Sequence, residues 1–136
     1  MKRRSYLTAM LAMFAGSKAV FSQTGAQAAA KNNPIVLYCD LSVAPAREQE
    51  MLNNFHNVFK PAAAKFQGYI DVKILKLRTV YTGSAPPNVN YRFQLTYESE
   101  ELRQKWIKSD VHQKVWPTVE NTLASKDYPT LLFDSK

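Results

Sequence analysis

The sequence predicts an α+β domain whose elements run β-α-β-β-α-β. Three observations carry this. Apolar residues alternate with a period of two over 35–43, 69–81 and 89–97, as strands do. Apolar residues at helical spacing fill 47–66 and 99–124. A short apolar run, 128–133, then closes the pattern.

The elements follow in order. Met1-Lys2-Arg3-Arg4 is a charged head before an apolar run from Tyr6 to Phe21, and Ala26-Gln27-Ala28 offers a small-x-small cleavage pattern. Gly16 and Lys18 interrupt that run, so it predicts no stable membrane anchor. Residues 1–28 therefore read as a signal peptide cleaved near Ala28, and 29–34 as a polar leader to a domain over 35–136. Arg3-Arg4-Ser5-Tyr6-Leu7 resembles the twin-arginine export signal, Arg-Arg-x-Phe-Leu-Lys, with Tyr6 and Thr8 departing from it. A periplasmic or secreted protein is expected, with ordinary secretion as the other route.

Pro34 opens the first strand, which places Ile35, Leu37, Cys39, Leu41 and Val43 on one face. Ala44-Pro45-Ala46 turns into a helix over 47–66 with a buried stripe of Met51, Leu52, Phe55, Val58, Phe59, Ala62, Ala63 and Phe66. Pro61 should kink it, His56 lies at the edge of the stripe, and Gln67-Gly68 ends it. The second strand is expected over 69–81 and a Pro/Gly-rich loop over 82–88. The third strand, 89–97, turns Tyr91, Phe93, Leu95 and Tyr97 to one side. Ser99 is a good N-cap for a helical pair, 99–109 and 111–124, and Glu100 and Glu101 suit its first turn.

This is the split βαβ order of ferredoxin-like domains, an antiparallel sheet with helices on one face. The other face is expected to carry Val36, Tyr38, Ile70, Val72, Ile74, Leu131 and Phe133. That set is too apolar to stay wet, so a homodimer packed sheet against sheet is expected.

Charge excludes one class of partner. The chain of 136 residues has a net charge of +7, but Lys2, Arg3, Arg4 and Lys18 belong to the signal. Of 18 basic residues, 14 then remain against 11 acidic ones, about +3 and well mixed, so no nucleic-acid partner is expected. Cys39, the one cysteine, has no partner for an internal disulfide or a metal site and reads as a buried thiol. No Gly-x-Gly-x-x-Gly and no clustered His/Asp/Glu set appears, so neither a cofactor nor a metal is expected.

Tyr97-Glu98-Ser99-Glu100-Glu101 leads into Trp106, and Trp-x-x-Ser-Asp-x-His follows at 106–112. With the strand order, these residues resemble the antibiotic biosynthesis monooxygenase family of the dimeric α/β-barrel superfamily, over about 35–134. The resemblance implies a dimeric α/β barrel with a ligand pocket between sheet and helices. It also implies a choice among cofactor-free oxygenases of aromatic polyketides, haem-degrading enzymes, small-molecule isomerases and proteins with no known activity. A cofactor-free monooxygenase of a small aromatic or quinol-type molecule needs a base, a dry pocket and stacking surfaces. His112, which titrates near neutrality, is the candidate base or anion partner, with a helix-capping role as the alternative. Cys39, Phe59, Tyr91, Trp106 and Trp116 are the candidate ligand-binding residues, with plain core packing as the alternative for the aromatics. A non-catalytic dimer that binds a small hydrophobic molecule is the rival function. In the haem-degrading branch, the resemblance puts Trp116 where the iron-ligating His belongs and Cys39 where an Asn belongs. An indole nitrogen only donates, and although His112, one helical turn away, could substitute as ligand, the usual site is lost, so haem is the weaker reading.

Overall fold

The computed structural model describes residues 33–136; the signal expected over 1–28 and residues 29–32 of the leader lie outside the described residues. Four strands, β1 (Ile35–Leu41), β2 (Tyr69–Lys76), β3 (Tyr91–Tyr97) and β4 (Thr130–Asp134), form one sheet in the order β2-β3-β1-β4. Every neighbouring pair is antiparallel, and Leu37 of β1 lies between Leu95 and Leu132. This is the ferredoxin-like α+β arrangement the alternation predicts. Ile35, Leu37, Cys39 and Leu41 of β1 and Tyr91, Phe93, Leu95 and Tyr97 of β3 are buried against helical residues such as Met51, Phe55, Phe59, Trp106 and Val119.

The first helical stretch is built in pieces: a 3-10 turn at Pro45–Arg47, α1 (Glu48–Asn54), a π turn at Phe55–Phe59, and α2 (Lys60–Ala63). The sequence places the disturbance at Pro61, and it falls one turn earlier. Pro61 has no N–H for the carbonyl four residues back, and the chain widens so that the Lys60 N–H donates to the Phe55 carbonyl instead. The widened turn buries Phe55 and Phe59 and leaves Val58 38% exposed, although the stripe was expected to bury all three. His56 is exposed, as its edge position implies.

Strand ends are shorter than the alternation suggests because a strand stops where its partner stops. The last β2–β3 pair is Lys76 with Tyr91; the Leu77 N–H still donates to the Asn90 carbonyl at 2.9 Å, and β2 ends there. Asn90 closes this end of the sheet. Its side chain accepts from the Val43 N–H at 2.8 Å and donates to the Val43 carbonyl at 2.9 Å. Val43 itself makes only a lone bridge to Leu123.

The second face requires a correction. Val72 lies opposite Leu95 and Ile74 opposite Phe93, so both look toward the helices, and Val72 is fully buried. Asp71, Lys73 and Leu75 face outward in their place, and a bulge between Tyr69 and Asp71 leaves Ile70 exposed. The apolar patch that remains outside is Val36, Tyr38, Leu131 and Phe133. Phe133 packs edge-on against Tyr38 at 5.5 Å, and Arg92 covers the Tyr38 ring while pairing with Asp40 at 2.7 Å.

Gly68 follows the helix end by several residues. Its φ of +94° suits glycine, and a Cβ there would sit 2.8 Å from two Leu102 carbons. It lets the second helical layer approach the start of β2.

Candidate functional site

Two helices, α3 (Glu100–Lys108) and α4 (Asp110–Glu120), carry most of the candidate site. Ser99 caps α3 by accepting from the Leu102 N–H at 3.2 Å. Ser109 both ends α3 and starts α4: its hydroxyl donates to the Trp106 carbonyl at 2.6 Å and accepts from the His112 N–H at 3.1 Å. The break matters to geometry. In one continuous helix, residues six apart lie about 120° away from each other round the axis. With the break, the rings of Trp106 and His112 meet edge-on at 5.1 Å. His112 and Trp116, four apart within α4, lie near parallel at 6.4 Å.

These side chains wall a cavity of about 150 Å³ between the helices and the sheet. Cys39, Phe59, Trp106, His112 and Trp116 from the sequence-derived set all line it. Tyr91 does not. It faces inward as expected but lies at the far end of β3, where its hydroxyl donates to Glu48 and Lys76 lies 5.9 Å from its ring. Shared face does not mean shared depth along a strand.

Three polar residues on the wall were not singled out from the sequence, Arg103, Tyr128 and Thr130. Arg103 pairs with Glu100 one turn back on α3 at 2.7 Å and is only 8% exposed. The usable signal was its position three residues before Trp106, hence on the same helical face. Tyr128 accepts from the Trp116 indole N–H at 3.2 Å and donates to Glu120 at 2.8 Å.

The electrostatics are set by burial. His112 uses its backbone N–H for the cap, which leaves its imidazole to the cavity. Its Nδ1 is buried with no partner among the described residues. Burial first, and then the Arg103 cation, lower its pKa below the usual 6.5, with Glu120 opposing. The ring is therefore mostly neutral at neutral pH, with one nitrogen a donor and the other an acceptor. Burial pushes the Cys39 thiol up to about 11, against the weak contact of its Sγ with Thr130 Oγ1 at 3.7 Å. The Arg103 guanidinium holds the Glu100 carboxyl below its usual range through bonds of 2.7 and 2.9 Å.

Haem does not fit this arrangement. A cavity near 150 Å³ takes a group about the size of benzene. Trp116, at the position the iron ligand would need, has its only nitrogen committed to Tyr128. Among the described residues no three His, Cys, Asp or Glu side chains cluster as a metal site, and no helix is long and apolar enough to cross a membrane.

No protein-family profile matches the chain and no curated protein matches it. Solved structures do. A protein from Caulobacter crescentus CB15, named a "putative antibiotic biosynthesis monooxygenase", is similar at TM-score 0.62 and 16% identity, over 77% of this chain and 92% of the other. A conserved protein from Methanosarcina mazei Go1 is similar at TM-score 0.60 and 17% identity, over 77% and 95%. A dimeric ferredoxin-like protein of unknown function from Jannaschia sp. CCS1 is similar at TM-score 0.60 and 12% identity, over 76% and 98%. At these identities the likeness shows the fold, which is the one that the resemblance in the sequence implies.

Proposed function

We propose that this chain is a cofactor-independent monooxygenase acting on a small aromatic or quinol-type molecule, with His112 as the base. The observation that carries the reading is the buried, unpartnered Nδ1 of His112 on the wall of an aromatic cavity. A buried polar atom without a partner costs about 1–3 kcal/mol, and a ligand O–H would satisfy it. His112 takes the phenolic proton, and the phenolate, now electron-rich at its ring carbons, reacts with dioxygen. One oxygen atom stays on the ring as a carbonyl and the other leaves as water with the two hydrogens that the substrate gives up. The substrate thus supplies all the electrons that dioxygen accepts. Phe59, Trp106 and Trp116 would hold the ring and keep water away.

Oxygen uptake by the purified protein over a panel of phenols and quinols tests this. Turnover is expected, with a loss of about 100-fold or more in His112→Ala, the usual scale for a general base. Ligand binding without oxygen uptake would instead establish the rival, a non-catalytic small-molecule-binding dimer.

We propose further that the domain acts as a homodimer in the periplasm or outside the cell. The exposed Leu131 and Phe133, with the half-buried Val36 and Tyr38 beside them, support the dimer, and the charged head and small-x-small pattern of residues 1–28 support export. Replacing Arg3-Arg4 by Lys-Lys is expected to retain the full-length chain in the cytoplasm, as read by fractionation; unimpaired export would mean ordinary secretion.

A further inference from the structure

We infer that the ligand of this cavity is a single-ring aromatic bearing an oxyanion, phenolate or carboxylate, which seats against Arg103. This rests on the cavity assigned above and names the substrate class for it. Arg103 is the cation on that wall, and its side chain is only 10% exposed. Glu100 engages Nε and Nη2 at 2.7 and 2.9 Å, and no described residue bonds Nη1. Glu100 itself is 41% exposed on the solvent side, so the ion pair leaves the guanidinium with donor capacity at the cavity. His112 lines the same cavity, and its buried Nδ1 has no partner among the described residues.

These two groups ask for opposite things from one ligand. A neutral imidazole nitrogen accepts a proton, and a guanidinium favours the negative charge that the loss of that proton creates. A neutral hydrocarbon would satisfy neither, and a cationic ligand would meet Arg103 as a like charge. The volume sets the size: about 150 Å³ holds one ring and its substituent, not a fused polycycle. Edge-on contacts among Phe59, Trp106 and Trp116, with centroids 5.5–5.8 Å apart, give flat and angled walls suited to a planar guest.

Titration calorimetry with benzoate, 4-nitrophenolate, their neutral counterparts benzamide and nitrobenzene, and 2-naphthoate tests the inference. Both oxyanions are expected to bind at least about tenfold more tightly than the neutral rings, with 2-naphthoate weakest of the acids. A phenolate-only or carboxylate-only preference identifies which oxyanion is native. Arg103→Gln should erase the preference while keeping affinity for nitrobenzene. Glu100→Gln should strengthen anion binding, because it frees the guanidinium of a competing carboxylate, and it serves where Arg103→Gln fails to fold. Equal binding of charged and neutral rings, no binding of any probe, or anion binding unchanged in Glu100→Gln and Arg103→Gln would overturn it. Anion preference without oxygen uptake would leave the inference standing and remove the oxygenase reading.

Discussion

His112 gives its backbone to the fold and its side chain to the cavity, and this division has a pH signature. Burial lowers its pKa in the folded state below the 6.5 it has when unfolded. The unfolded chain therefore binds more protons in the acid range, and folding stability is full above pH 6.5 and falls as pH drops from there toward the lowered value. His112→Gln removes that term. Thermal midpoints measured from pH 7.5 to 5 should fall less steeply in the variant than in the parent. Residue identities on the cavity wall were legible where a single face decides them, as for Cys39, Trp106 and Trp116. Arg103 was not, because its burial is a matter of tertiary packing, which no local pattern of charges encodes.

At the scale of elements, the hinge at Ser109 is the most consequential joint, since one hydroxyl serves the last carbonyl of interest in α3 and the first orphan N–H of α4. Ser109→Ala should cost about 1–2 kcal/mol, the usual worth of an N-cap, seen as a fall of several degrees in Tm. It should also weaken any ring ligand, because the approach of His112 to Trp106 depends on the joint. The alternation of the strands gave their number, order and shared faces, and Ser99 gave the helix start. It did not say which face of β2 is inside. The charges at Asp71 and Lys73 held that answer: they need water, and so Val72 and Ile74 between them turn inward. Strand length was equally illegible, because β2 ends where β3 supplies no partner rather than where its apolar pattern ends.

For the whole molecule, the proposed dimer rests on the outward patch around Phe133. Phe133 is half exposed and flanked by Tyr38 and Leu131. Phe133→Asp would bury a charge in a sheet-to-sheet contact, and a loss of at least about 3 kcal/mol of association is expected, or more than 100-fold in the dimer constant. Sedimentation at micromolar concentration reads this directly, and a parent protein that runs as a monomer would remove the dimer. Cys39 has a consequence of a different kind. With its thiol pushed up to about 11, roughly one molecule in ten thousand carries a thiolate at pH 7, against a few per cent for an ordinary cysteine. Disulfide exchange runs through the thiolate, so molecules crowded together in oxidising surroundings would cross-link more slowly than a surface thiol allows. A lone cysteine that would be a hazard on the outside of a secreted chain is, at this depth, chemically silent.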